Sequence, residues 1–337
     1  MRGHASRGSA TLETDESYTK KCAGGTPGRG YALIAPDWLW IPITIAAALA
    51  QTIRNAAQRH LTPVLGTLGA TLVRFLYGLP FALLWLGAVA WAGGFAIATP
   101  NAAFGGWVLV SSITQIGATA LLLKVMAERN FALGTAYAKT EVIQVAVFGF
   151  IFLGDPLTPV TLAAVMLAMV GVMLLSPINR ARPFRTLLSG WTTRPALLGV
   201  ASGSLFGVAA VGYRGATLAL EGTSFLMAAA CTLVAAQALQ TVLLGGALLV
   251  RDAQVVARVC REWRKSLFAG LMGATASGCW FTAMAIEPAA HVRTLALVEI
   301  FFGYAVARRF FSERISRIEI AGMLLLLAGL VVVTLAR

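Results

Sequence analysis

Glu141 and Glu299 are carboxylates set inside apolar stretches, and a charge there is costly unless it serves an ion or substrate pathway. Asp155 and Gly171 follow the first, and Glu313 and Gly329 follow the second at the same spacings, each pair offset by 158 residues. Four basic residues also lie within apolar runs: Arg54, Arg74, Lys139 and Arg214. Charges of both signs inside one bundle can hold a substrate, move a proton or simply pair. Partial desolvation makes a carboxylate easier to protonate, so Glu141 and Glu299 are candidates for coupling substrate movement to a proton. Arg74, helped by Lys139, is the candidate for an anionic group of the substrate, because a guanidinium fork grips two oxygens together. Lys139 and Glu141 stand two apart and face different ways on a helix, so their partners must come from other helices. Arg74 is the expected partner of Glu141, and a purely structural ion pair is the competing reading.

Softer residues complete the candidate wall. Gln51, Asn55 and Gln58 form one polar stripe; Thr114 with Gln115, and Gln237 with Gln240 and Thr241, are further candidates, and all of them could equally bond helix to helix. Trp280 lies deep in its span and either stacks on substrate or fills the core. Trp38, Trp40 and Trp107 sit at span ends, as interfacial anchors do. Arg54 and Arg214 lie near span ends and can snorkel instead of facing a cavity; snorkelling is the expectation for Lys124 and Arg293. Asp155 and Glu313 occupy helix–turn–helix connections, where capping of the following helix is expected. Gly199, Gly203 and Gly207, and Gly270, Ala274 and Gly278, form small-residue ridges that suit packing within the chain, with dimerisation as the alternative.

The elements that must position these residues follow from composition. Hydrophobic residues make up 58% and charged residues 12%, with a mean hydropathy of +0.77; a water-soluble domain carries roughly a quarter charged residues. Windows of about 19 apolar residues give spans at 38–58, 64–92, 104–126, 131–154, 158–177, 195–217, 223–250, 266–286, 290–311 and 316–336. Lengths and Leu/Ala/Gly content favour helices over a barrel, which needs strict alternation. The Lys and Arg of the connections concentrate after the odd-numbered spans, as in Arg180, Arg182, Arg258, Arg261 and Arg308. The net charge of +13 is thus a topology signal and an attraction to anionic lipid rather than a nucleic-acid groove, and it puts both termini outside the cytoplasm. Residues 1–36, rich in Gly, Ser, Thr and charge, are expected to be a disordered tail without a signal-peptide core. Cys22, Cys231, Cys260 and Cys279 lack metal spacing.

The matched anchors divide the chain into a first five-helix unit over 37–177, an Arg-rich linker over 178–194 and a second unit over 195–337. Pro177, Pro183 and Pro195 punctuate the linker. Five helices per unit make the second enter from the opposite side, so the expected fold is an all-α membrane protein of ten transmembrane helices in two inverted repeats. Thr52 to Ala56 echoes Gly212 to Ala216, which sets Arg54 against Arg214.

Phe152-Leu153-Gly154-Asp155-Pro156-Leu157-Thr158 and Phe310-Phe311-Ser312-Glu313-Arg314-Ile315-Ser316, each followed by a helix with a late glycine, resemble the repeat endings of the drug/metabolite transporter superfamily, in its ten-helix EamA-type branch. Arg74-Phe75 resembles an Arg common in the second helix of that family. Two features depart from it. The Pro that often follows the mid-helix Glu is replaced by Val142 and Ile300, which leaves no proline to kink those helices. The family's termini usually lie in the cytoplasm, against the charge bias here.

The resemblance implies a secondary transporter, an exporter of a small metabolite or drug, in a bacterial inner membrane. The mixed charges favour an amino-acid-like zwitterion or organic anion over a cation. Partners are then a small-molecule substrate and the bilayer, with no nucleic acid and no cofactor or metal, as a monomer or homodimer. The competing classes are an integral-membrane enzyme and a non-transporting subunit or receptor. The first lacks a His-Glu-x-x-His, a nucleophile elbow or a phosphate loop, so no enzyme is expected.

Overall fold

The computed structural model describes residues 35–127, 138–175, 194–302 and 317–335. Most of the tail, most of the linker and the turn containing Glu313 lie outside the described residues. Those described form helices and connecting turns, with no strand among them. In chain order these are α1 (Trp40–Leu76), α2 (Leu79–Gly93), α3 (Ala102–Ala127), α4 (Glu141–Leu153), α5 (Pro159–Leu175) and α6 (Arg194–Ala219). Then come α7 (Phe225–Arg251), α8 (Ala253–Arg261), α9 (Trp263–Ile286), α10 (Ala289–Leu295), a 3₁₀ turn (Ala296–Val298) and α11 (Arg317–Leu335).

Five stretches are long and apolar enough to cross a membrane: Trp40–Gly93, Ala102–Val125, Leu197–Ala219, Phe225–Arg251 and Trp263–Ile286. Leu84, Trp91, Phe150, Leu243, Val250 and Leu324 point outwards from their helices. An apolar exterior around buried polar groups is what lipid requires and water does not tolerate, and it marks the chain as a membrane protein.

The first stretch contains a reversal. Pro63 cannot return an amide hydrogen bond to the preceding turn, and Gly66 adopts φ 70° and ψ 172°, a conformation essentially reserved for glycine. Gln58 Nε2 donates to the carbonyl of Ala70 at 2.7 Å. Twelve residues of straight helix would separate these by about 18 Å, so the chain folds back at Gly66 and the two arms of α1 lie against each other. The sequence window 38–58 falls on the first arm, and 64–92 covers the second arm together with α2.

Helix interruptions also precede both matched glutamates. Before Glu141 the chain makes a turn in which the Val142 amide bonds three residues back to Lys139, at 3.2 Å. Before Glu299 stands the 3₁₀ turn, whose closing amide, that of Glu299, reaches Ala296. The absence of proline at Val142 and Ile300 therefore does not leave these helices continuous; the tighter hydrogen-bond pattern supplies the break instead.

The most extensive packing joins α1 to α9, α3 to α6 and α5 to α11. The last pair meets at the two glycines of the sequence repeat. A Cβ on Gly171 would lie 2.5 Å from the Leu326 amide nitrogen and 2.7 Å from the Gly322 carbonyl. One on Gly329 would lie 2.7 Å from the Ala168 nitrogen and 2.9 Å from the Ala164 carbonyl. The backbones touch, and no side chain fits between them. Two ridge glycines behave likewise within the chain, Gly203 against the Ala138 carbonyl and Gly270 against the Tyr77 backbone, while Gly207 meets the side chains of Gln144 and Phe148 and Gly278 that of Leu233.

Sequence windows did not find α8. Its Val255 and Val259 are buried against Leu61, Leu65 and Gly69, while Arg258 and Arg261 are exposed. One apolar and one basic face over nine residues is the pattern of an interfacial helix, too short to span.

Replacing Gly171 or Gly329 by Leu is expected to destabilise the purified protein by about 1–3 kcal/mol each through overpacking. The double variant should cost less than the sum, because both changes open one crossing. Gly87→Leu, at a glycine with open space around it, should leave the thermal unfolding midpoint in detergent unchanged.

Candidate functional site

Gln51, Arg54, Asn55, Arg74, Lys139, Glu141 and Glu299, all singled out in the sequence, line one internal cavity, with Trp280 beside them. The first arm of α1 brings Gln51, Arg54 and Asn55, and the second brings Arg74. Lys139 and Glu141 come from the turn and first residue of α4, and Glu299 follows the 3₁₀ turn. Gln115 of α3, Ser277 and Phe281 of α9 and Arg293 of α10 also reach it. Both interrupted helices thus deliver a carboxylate to the same space.

The contacts form a closed ring. Lys139 pairs with Glu299 Oε1, and Gln51 Nε2 donates to Glu299 Oε2 at 3.0 Å. Trp280 Nε1 donates to Gln51 Oε1 at 3.0 Å, and the Arg293 guanidinium lies 4.8 Å over the Trp280 ring. Arg293 Nη1 then donates to Glu141 Oε1 at 3.4 Å, and Glu141 returns to Lys139 along the backbone. Lys139 and Glu141 do take partners from other helices, as their spacing requires.

Arg74 is not the partner of Glu141. Its guanidinium is held by neutral acceptors: Thr119 Oγ1 at 3.4 Å and Ser277 Oγ at 3.1 Å. Gln115, with its carboxamide oxygen turned inwards, accepts from Nη2 at 2.7 Å and Nη1 at 3.0 Å. Arg293, expected to snorkel, is instead 7% exposed and supplies the charge opposite Glu141. Hydropathy placed it at a span edge; the short α10 and the break after it carry it inwards. Lys124 is exposed, in keeping with snorkelling. Trp40, expected as an interfacial anchor, is fully buried, whereas Trp38 is exposed.

Arg214 is absent from the cavity. Its Nε and Nη2 grip both oxygens of Asp155 at 2.9–3.1 Å, and Nη1 donates to the carbonyls of Met284 and Glu287 at 2.5 and 2.7 Å. Arg214 therefore neither snorkels nor meets the candidate cavity, and Asp155 binds it rather than capping α5. That cap belongs to Thr158, whose Oγ1 accepts from the Thr161 amide at 3.1 Å. Beside this pair, His291 Nδ1 lies 2.6 Å from Glu287 Oε1 and its Nε2 lies 3.1 Å from Thr161 Oγ1. His291 is buried. The i, i+4 spacing of Glu287 and His291 was the signal that could have found this second polar cluster.

The polar stripe of α1 divides: Gln51 and Asn55 line the cavity, while Gln58 ties the two arms together. Gln240 Nε2 donates to the Tyr213 hydroxyl at 2.8 Å, and Thr114 bonds back to its own helix. Neither of these two lines the cavity.

No family model matches this sequence, and no curated protein matches it. Among solved structures, 28 chains match. One, titled "Crystal structure of protein", superposes with a TM-score of 0.63 at 16% sequence identity, covering 89% of this chain and 99% of its own. At that identity the likeness concerns the fold alone: an all-helical, membrane-type bundle.

Asp155→Asn is expected to cost about 3 kcal/mol, the lower end for one partner of a buried ion pair, because two carbonyls still hold Arg214. The combination Asp155→Asn with Arg214→Met should recover part of that loss, measured by thermal unfolding in detergent.

Proposed function

We propose that the chain is a secondary transporter of the drug/metabolite type, built as ten transmembrane helices in two inverted five-helix repeats. Its cavity takes a small polar metabolite, an amino-acid-like zwitterion or organic anion, with proton coupling through Glu141 and Glu299. The observation that carries this reading is the cavity itself, where two interrupted helices each deliver a carboxylate to one space of mixed charge. Substrate and coupling-ion sites of transporters are built this way, at the junction of repeats and beside broken helices.

Three further observations support the duplication. Gly171 meets Gly322 and Leu326 while Gly329 meets Ala164 and Ala168. Adding 158 to 164, 168 and 171 gives 322, 326 and 329, so the crossing is reciprocal, as an interface across a two-fold axis must be. The helix breaks before Glu141 and Glu299 also correspond under that offset. Finally, α3 packs on α6, and α1, whose first arm is the first span, packs on α9; the two contacts correspond when the third and sixth spans are swapped for the eighth and first.

The free volume of about 50 Å³ is far below the roughly 300–1,000 Å³ of a drug-sized site, which favours a small metabolite over a drug. Export is the direction that the family resemblance suggests, and a bacterial inner membrane is the corresponding location.

Cells or inverted vesicles containing the protein should redistribute a metabolite that empty-vector controls do not, and a proton ionophore should abolish its accumulation. The Glu141→Gln, Glu299→Gln double variant, matched for membrane insertion, should transport about tenfold slower or less, the effect of roughly 1.4 kcal/mol lost at the site. Unchanged transport by that variant would remove the carboxylates from the cycle.

A further inference from the structure

The cavity is lined by four basic side chains, Arg54, Arg74, Lys139 and Arg293, and two carboxylates, Glu141 and Glu299. The carboxylates are already engaged, by Lys139 and by Arg293. Two positive charges remain, on Arg54 and Arg74, and among the described residues neither meets a carboxylate. Arg74 is satisfied by hydroxyls and an amide. Arg54 is 2% exposed and donates from Nη2 to Asn55 Oδ1 at 2.8 Å, while its Nε and Nη1 have no hydrogen-bond partner among the described residues. A buried cation with unmade hydrogen bonds is among the least favourable groups a bilayer protein can carry.

The two cations also lie side by side. The position of a Cβ on Gly273 is 3.1 Å from Arg74 Cγ and 3.5 Å from Arg54 Cδ, so both side chains run past the same glycine towards the same space. Like charges brought together in a desolvated site repel unless an anion sits between them. The free volume of about 50 Å³ holds a few waters, at about 10–15 Å³ each, or the anionic head group of a larger ligand.

We propose that Arg54 and Arg74 form a clamp for a small metabolite bearing two negative charges on oxygen, a dicarboxylate or a phosphate monoester. Such a ligand neutralises the surplus charge of the cavity, takes the free N–H groups of Arg54, and leaves both existing ion pairs intact. A cation adds to the surplus, and a zwitterion leaves it unchanged. The inference rests on the transporter reading only in calling this ligand a substrate; binding itself does not depend on it.

The test uses the full chain in nanodiscs of neutral lipid, in chloride-free buffer, with calorimetric titration and thermal unfolding. The probes are inorganic phosphate, succinate, sodium chloride, L-alanine and tetraethylammonium. Saturable binding of phosphate or succinate is expected, and which of the two binds separates the two ligand classes. Arg54→Gln and Arg74→Gln should each weaken that binding about tenfold or more. Without ligand, Arg54→Gln should unfold at a higher temperature than the wild type, because it removes an uncompensated buried charge; a structural role for Arg54 predicts a lower one. If both Gln variants fail to fold, Arg54→Lys carries the test, with weaker dianion binding expected from loss of the fork.

No saturation by either dianion, saturation by chloride alone, or dianion affinity unchanged in the arginine variants overturns the proposal. Binding of a dianion that proteoliposomes do not transport would leave the clamp standing and sink the transporter reading. Transport of L-alanine or tetraethylammonium, undisturbed by Arg54→Gln, would do the reverse.

Discussion

Six charged side chains converge on one small space inside an apolar bundle, and the rest of the structure is arranged around keeping them there. A single charge near the centre of a bilayer costs roughly 2.5–3.5 kcal/mol on insertion scales, so each needs a partner or a reason. Glu299 and Glu141 find Lys139 and Arg293, Arg74 finds three neutral acceptors, and Arg54 finds one. The helices cannot be straight and continuous to achieve this. The reversal at Gly66 brings Arg54 and Arg74 together from one chain segment, and the breaks before Glu141 and Glu299 aim both carboxylates inwards.

The scaffold outside the cavity shows the complementary economy of small residues. At the α5–α11 crossing, glycine against backbone replaces side-chain interdigitation, giving a rigid contact that needs no polar group. Gly203 on α6 and Gly270 on α9 do the same for their neighbours. Polar bonding is concentrated in the ring around the cavity and in the separate cluster of Asp155, Arg214, Glu287 and His291. Among the described residues, these two clusters are where buried charges hold the helices together.

Much of this was legible in the sequence, and the division between what could be read and what could not has a physical basis. Hydropathy located the apolar helices because each span's cost is a sum over its own residues. Glu141, Glu299, Arg74, Arg54 and Lys139 stood out because a charge within such a span is rare for energetic reasons. Pairing was not legible: whether Arg74 or Arg293 meets Glu141 depends on helix rotation and on the short α10, which no local pattern specifies. Arg293 was misplaced because a span edge in sequence is not a depth in the bundle. Asp155 was misread because a capping position and a buried pair look the same until α6 supplies Arg214. The breaks before Glu141 and Glu299 were missed because they arise from i to i−3 bonding rather than from proline. The helix Ala253–Arg261 escaped a window tuned to spans twice its length.

The ring of contacts has an energetic character that suits movement. An ion pair buried in a low-dielectric site gains by Coulomb attraction about what it loses in desolvation, so its net contribution lies near balance. Breaking one pair alone is costly, but exchanging a partner for another of equal charge is not. Lys139–Glu299 and Arg293–Glu141 join the two halves of the sequence, and all four groups face one space. In the transporter reading, a ligand or proton that takes the place of one partner lets that pair part without leaving a bare charge. The apolar glycine crossing between α5 and α11 would stay closed through such an exchange, since nothing in it titrates or binds. The bundle thus divides into a contact that has no alternative arrangement and a charged ring that has several. That division is the physical requirement for two states of similar free energy around one site.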